Sequence, residues 1–183
     1  MLIGKKVTAM RPRQFGFFFD AERCVQCHAC ELACKAMHNV ELGVRWRRVL
    51  SVWGGEYPRV WNRGVSLACM NCSDPPCVKA CPKGAIEKRP DDGGVLVDQD
   101  KCIGCRCCFW VCPFGVPQFG VNGKMQKCQA CIDRFAPEKD PPCVATCPAE
   151  ALLWGTMDTL TERVAKKNVA ALFPATHSFS TVL

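Results

Sequence analysis

The chain has 183 residues, 49% of them hydrophobic, with a formal net charge of +7 and 17 cysteines. That length suits one compact domain or two small intertwined ones, and no apolar run approaches the length of a membrane span. An odd cysteine count without a secretory leader argues against a disulfide scaffold.

In chain order, residues 1–13 are basic but have no apolar centre and no adjacent arginine pair, so they read as no export address. Residues 15–20 predict a strand leading into a first cysteine run, Cys24, Cys27, Cys30 and Cys34. Residues 45–53 and 57–67 predict short strands around Gly54 and Gly55. Their Trp46, Trp53 and Trp61 suit strand packing, with a docking face as the alternative. The second run is Cys69, Cys72, Cys77 and Cys81. Strands over 85–88 and 95–98 are then expected to form a hairpin through the turn residues 90–94. The third run is Cys102, Cys105, Cys108 and Cys112, and the fourth is Cys128, Cys131, Cys143 and Cys147. Leu152, Leu153 and Trp154 read as a strand partnering 15–20. Thr159-Leu160-Thr161-Glu162 has the form of a capping box opening a helix over 159–172, which Pro174 stops. His28, His38 and His177 have no supporting constellation, and a surface or hydrogen-bonding role suits His28 better than ligation.

Every run ends in a C-x3-C step, and Pro82, Pro113 and Pro148 directly follow three of the last cysteines. These are variants of C-x2-C-x2-C-x3-C-P, the ligand pattern of cubane iron–sulfur clusters. Three close cysteines wrap one cluster, and the chain then turns away, so the fourth cysteine of a run reaches a different cluster. Proline fixes φ and removes a donor where the chain leaves the loop. Zinc is the competing reading, but zinc sites draw ligands in pairs from two knuckles, whereas the first and third runs place three within seven residues. Cys107 falls outside the spacing and reads as a small buried neighbour, with cluster tuning or replacement ligation as the alternative.

The chain also repeats itself: residues 20–27 echo 98–105, and 74–82 echo 140–148. The short connection between Cys81 and Cys102 makes runs two and three an inner unit, leaving runs one and four to pair around it. This predicts an α+β fold of two ferredoxin-like bis-[4Fe-4S] units, the inner inserted in the outer, with short strands and helices. The outer unit takes 14–60 and 120–157, the inner 61–119, and a helix and tail 158–183. Four [4Fe-4S] centres result. Centre A draws on Cys24, Cys27, Cys30 and Cys147; centre B on Cys69, Cys72, Cys77 and Cys112; centre C on Cys102, Cys105, Cys108 and Cys81; centre D on Cys128, Cys131, Cys143 and Cys34.

Clusters change the meaning of the charge. Each oxidised cubane with its thiolates carries about −2, so four bring the formal +7 to about −1, which removes the case for nucleic acid. Lys35, Lys79, Arg106 and Lys127 lie close to ligand positions and read either as solvated surface charge or as groups tuning potential or docking a partner. With cluster filling much of the interior, the metal-free chain is expected to be largely unfolded.

On these residues the chain resembles the four-cluster iron–sulfur subunit of the dimethyl sulfoxide reductase and formate dehydrogenase type. The resemblance spans about residues 15–154 and is most specific at Phe17-Phe18-Phe19-Asp20, Cys102-Ile103-Gly104-Cys105-Arg106, Cys112-Pro113-Phe114-Gly115-Val116-Pro117-Gln118 and Lys127-Cys128-Gln129-Ala130-Cys131-Ile132-Asp133-Arg134. It implies stacked ferredoxin-like halves with the partition above, and a non-catalytic subunit passing single electrons. Its partners would be a large molybdenum- or tungsten-pterin catalytic subunit and a second redox partner: a flavin subunit, a membrane anchor or a soluble carrier. Some related nitrate-reductase subunits replace a third-run cysteine; this chain keeps Cys102, Cys105, Cys108 and Cys112, so four four-iron clusters are expected. It is short for that family, which argues against a direct membrane role; taking up iron and sulfide while the thiols are reduced favours assembly in the cytoplasm, with any membrane association or export through a partner. The alternatives are an independent soluble polyferredoxin shuttle and, from another class, a zinc-stabilised interaction module.

Overall fold

The computed structural model describes residues 14–134 and 139–172. The elements run β1 (Phe15–Phe19), α1 (Ala29–Met37), β2 (Arg48–Gly54), β3 (Trp61–Leu67), α2 (Pro76–Lys79), β4 (Ile86–Lys88), β5 (Val95–Val97), α3 (Cys107–Trp110), β6 (Gln118–Phe119), β7 (Met125–Gln126), a 3-10 turn (Ile132–Arg134), α4 (Pro142–Ala145), β8 (Leu152–Thr156) and α5 (Met157–Leu172). Short helices and short strands make the class α+β, as expected.

The strands form four two-stranded antiparallel sheets, β1 with β8, β2 with β3, β4 with β5 and β6 with β7. The first joins the two ends of the described chain, with Phe15 opposite Thr156 and Phe19 opposite Leu152. Its aromatic pairs are cross-strand contacts that suit a pleated surface: Phe15 stacks on Trp154 at 5.5 Å between centroids and Phe17 lies 4.6 Å from the same ring. The expected hairpin is β4–β5, one residue shorter on each strand than predicted.

Two expectations need adjustment. The strands around Gly54 cover 48–54 and 61–67 only, because Trp46 and Arg47 leave the strand and turn inward. Trp53 and Trp61 do not pack inside; they stand 71% and 46% exposed near the hairpin tip, while Trp46 is half-buried and donates its Nε1–H to Gln126 Oε1 at 3.2 Å. The last helix starts at Met157, two residues before the Thr159 box. Thr156 is the capping residue, accepting the Thr159 N–H at Oγ1 (3.4 Å), and the Thr159 hydroxyl is spent on Thr156 O at 2.8 Å. The expectations for Pro174 and for the tail at 175–183 lie outside the described residues, as does His177.

Among the described residues the apolar interior contains three clusters, each including cysteines. Cys30 and Cys143 pack with Val49 and Leu152; Cys69 and Cys128 with Ala68 and Val116; Cys108 with Ile86, Val95 and Met125. Phe17 packs against both of the first two. The hydrophobic layer is thus a set of linings for groups of sulfur atoms.

Candidate metal centres

Each cysteine run folds into a loop with left-handed residues set between its cysteines. They are Gln26 (φ 55°) and His28 (60°) in run one, Asn71 (45°) in run two, Gly104 (70°) and Arg106 (67°) in run three, and Ala130 (58°) and Cys131 (53°) in run four. Left-handed residues interspersed with right-handed ones can turn neighbouring backbone N–H groups to the same side, a conformation that favours an anionic guest. Gly104 is required here twice over: its φ is positive, and a Cβ would collide with Gly123 O.

The exits also share one geometry. Three residues after the last cysteine, Gly84, Gly115 and Glu150 all have positive φ. Their N–H groups bond to Cys81 O, Cys112 O and Cys147 O at 3.1–3.2 Å. The next residue then donates its N–H to sulfur in two of the three: Ala85 to Cys81 Sγ at 3.2 Å and Ala151 to Cys147 Sγ at 3.3 Å. Met125 N–H approaches Cys102 Sγ at 3.4 Å, and Ala130 N–H approaches Cys128 Sγ at 3.4 Å.

Twelve of the sixteen cysteines in the four runs line three cavities. Cys81, Cys102, Cys105 and Cys108 share one with Ile86, Phe119 and Met125. Cys24, Cys27, Cys30 and Cys147 share another with Phe19, Val49 and Leu152. Cys69, Cys72, Cys77 and Cys112 share a third with Val95, Val116 and Phe114. The remaining four, Cys34, Cys128, Cys131 and Cys143, are all buried, at 3–6% exposure. They are close enough that Cys128, Cys143 and Cys131 all act on the Cys34 thiol. Among the described residues no three His, Cys, Asp or Glu side chains are arranged to hold a single metal ion; the sulfurs ring cavities rather than points.

The donor set fits an iron–sulfur cube. Burial is the first cause that pushes the Cys34 thiol above its ordinary range, with neighbouring sulfurs adding to it. Cys131 is pushed up to about 12 and Cys108 to about 11 by burial and then by neighbouring cysteines. Such thiols stay protonated at neutral pH unless a cation replaces the proton. An iron–sulfur cluster would supply such a cation at these sulfurs, and the loop N–H groups would favour its negative charge.

Cys107 lies outside these cavities and is half-buried rather than buried. It sits against Cys105, which its hydrogen bonds hold below the usual thiol range. Of the cations near the runs, Lys79 is exposed and paired with Asp74 at 2.5 Å, and Arg106 lies over the Phe119 ring at 5.3 Å. Lys35 donates to Glu41 O and Val44 O at 2.6 and 2.7 Å. Lys127 is not solvated surface: it is 4% exposed and donates to Val95 O and to Cys128 O. Its charge acts on Cys69 and Cys77 across the third cavity.

Two residues carry no signal in the sequence. His38 Nε2 lies 3.2 Å from Cys131 Sγ, its ring stacked 5.0 Å from that of Trp46. Arg47 is 2% exposed and donates from Nη1 to Ser66 Oγ at 3.1 Å. His28, by contrast, is bonded to Glu31 Oε2 at 3.2 Å, in keeping with a hydrogen-bonding role.

The family model of the 4Fe-4S dicluster domain matches residues 62–157. The protein is 43% identical over 173 residues to a chain of the anaerobic dimethyl sulfoxide reductase of Escherichia coli (strain K12), covering 90% of this sequence and 84% of the relative. It is 39% identical over 178 residues to the formate dehydrogenase iron-sulfur subunit of Wolinella succinogenes, covering 82% and 88%. It is 38% identical over 164 residues to a subunit of the sulfite dehydrogenase of Allochromatium vinosum, covering 78% and 68%. The family match and these relatives together place the protein in the 4Fe-4S dicluster family, among the iron–sulfur subunits of the dimethyl sulfoxide reductase and formate dehydrogenase type.

Proposed function

We propose that this protein is an electron-transfer subunit carrying four [4Fe-4S] clusters, which passes single electrons between a molybdenum- or tungsten-pterin catalytic subunit and a second redox partner. The observation that carries the reading is that sixteen of the seventeen cysteines fall into four groups of four, three of them lining one cavity each. Centres A (Cys24, Cys27, Cys30, Cys147), B (Cys69, Cys72, Cys77, Cys112), C (Cys81, Cys102, Cys105, Cys108) and D (Cys34, Cys128, Cys131, Cys143) are the assignment that follows.

Runs one and four make the outer ferredoxin-like unit; its support is the packing of α1 on α4 and the β1–β8 register. Runs two and three make the inner unit, supported by the packing of α2 against α3. The units take 14–60 with 120–157, and 61–119. A bound [4Fe-4S] cluster accepts and returns one electron. The protein's own work is to hold each cluster with a full set of four thiolates, which leaves no open iron position and makes the subunit non-catalytic. Loop N–H groups, nearby cations and apolar linings then set each potential.

The named relatives supply the partner class: a reductase or dehydrogenase whose large subunit does the chemistry. The second partner is a flavin subunit, a membrane anchor or a soluble carrier. No helix among the described residues is long and apolar enough to cross a membrane. Assembly with reduced thiols suits the cytoplasm.

The test is anaerobic analysis of the intact protein, which should give roughly sixteen iron and sixteen acid-labile sulfide per polypeptide. Cys107→Ala should keep that content, while Cys108→Ala should lower it. Zinc without sulfide would select the interaction module. Native mass spectrometry separates the remaining readings: a fixed complex with a pterin-containing subunit supports a dedicated subunit, and a protein that exchanges among several enzymes is a shuttle.

A further inference from the structure

Arg47 is the one side chain among the described residues with buried, unbonded polar nitrogens. Its Nε and Nη2 find no hydrogen-bond partner of good geometry, and Nη1 alone is satisfied, by Ser66 Oγ at 3.1 Å. No carboxylate pairs with it among the described residues. A guanidinium that is 2% exposed without a counter-ion is costly, unless negative charge stands near it in the working protein.

The surroundings identify that charge. Ser66 Oγ lies 3.6 Å from Cys30 Sγ, so the hydroxyl links Nη1 to a centre A sulfur. The guanidinium is also within electrostatic reach of all four cysteines of centre D, Cys143, Cys128, Cys34 and Cys131, as well as of Cys30. Below it, Cζ lies 4.5 Å over the face of Phe17, which packs between the two apolar clusters holding Cys30 with Cys143 and Cys69 with Cys128. The buried carboxylate of Glu31 is committed elsewhere: Oε1 accepts the Val49 N–H, and Oε2 faces His28 at 3.2 Å and Arg45 at 3.7 Å.

We propose that Arg47 is a tuning residue shared by centres A and D: one buried positive charge, fixed between them, stabilises the extra electron on either and raises both potentials together. The inference rests on the cluster reading above. Reduction adds a negative charge to a cluster, and a cation held in a poorly screened interior favours that state. The two unbonded N–H groups give the charge direction, because a thiolate or cluster sulfur can only accept. Centres B and C draw on other surroundings: Lys127 stands by B, and C is bordered by the exposed Arg106.

The experiment is an electron-paramagnetic-resonance redox titration of the holoprotein, with iron and sulfide counted on the same sample. Arg47→Met should shift the reduction equilibria of A and D at least tenfold toward the oxidised state, about 59 mV for one electron, and leave B and C in place. Arg47→Lys, which keeps charge, should recover most of the shift. Equal movement of all four centres, no movement with a full iron count, or a lysine variant displaced as far as the methionine would each overturn the proposal. If Arg47→Met loses iron, Arg47→Gln decides: it keeps hydrogen-bond donors but carries no charge, so a fall of A and D together with B and C unmoved supports the proposal, and no change with a full iron count refutes it. A wild-type protein without iron and sulfide sinks the cluster reading itself, so the two failures are distinct.

Discussion

His38 Nε2 lies 3.2 Å from Cys131 Sγ, joining residues 93 positions apart in the chain. A ligand thiolate has no proton to give, so in the loaded protein Nε2–H must be the donor. A hydrogen bond to sulfur stabilises the more negative, reduced state. His38→Ala should therefore lower the potential of centre D alone, by up to about tenfold in the reduction equilibrium, or about 59 mV. His38→Gln, which can still donate, should fall between. The idea is lost if alanine leaves the potential of centre D where it was.

Gly64 on β3 is a contact point for run one. A Cβ built there would stand 2.5 Å from Gln26 Cγ and 2.9 Å from Cys24 Sγ. Either the loop or the strand must move, and overpacking of this kind costs about 1–3 kcal/mol. Gly64→Ala should lose centre A first, dropping iron by roughly four per polypeptide while the signals of B and C persist. Full iron with an unchanged melting temperature would contradict this.

Glu150 occupies, with φ 48°, the place that Gly84 and Gly115 hold in the equivalent exits. A side chain in that region costs about 1–2 kcal/mol. What Glu150 offers in return is an ion pair to Arg23 at 3.1 Å, with both side chains more than half exposed, worth about 0–1 kcal/mol. Glu150→Gly should be neutral or stabilising by up to about 2 kcal/mol, read as slower thermal loss of cluster absorbance. A clear destabilisation would mean the ion pair outweighs the backbone term.

The docking of α5 should depend on pH. Lys167 Nζ reaches Asp20 Oδ1 at 2.7 Å and Glu22 Oε2 at 3.0 Å, and the bond from Lys167 holds the Asp20 carboxyl below its usual range. A depressed carboxyl contributes stability above its unfolded value, about 3.9, and loses it as pH falls through the lower folded value. Amide-exchange protection of α5 should thus decline below about pH 4 in the wild type. Lys167→Met should be less protected at neutral pH and flatter through acid. Parallel profiles for the two proteins would show that the pair does not hold the helix.

Local features are the ones legible in the sequence. Cysteine spacing marks the loops, and the Pro90-to-Gly94 turn marks the β4–β5 hairpin, because both are set within a few residues. The β1–β8 pairing is legible too, since two apolar segments flank the outermost runs. The charged surroundings of the sulfurs are not. Arg45, Arg47 and Arg48 look alike in sequence, yet only Arg47 is buried. Lys127 reads as surface charge until β5 supplies Val95 O to receive it. The start of α5 is ambiguous for a similar reason, since Thr156 and Thr159 are both threonines three apart and only the fold decides which one caps.

The β1–β8 seam has a consequence for biosynthesis. A ribosome that has released residues as far as Cys112 has delivered every cysteine of the groups built on Cys69 and on Cys102, but neither of the groups that need Cys143 and Cys147. On the proposed assignment, cofactor loading could begin at the middle of the polypeptide during translation, whereas the two outermost groups would be complete only once Cys143 and Cys147 have emerged, just ahead of the strand at Leu152–Thr156 that pairs with Phe15–Phe19.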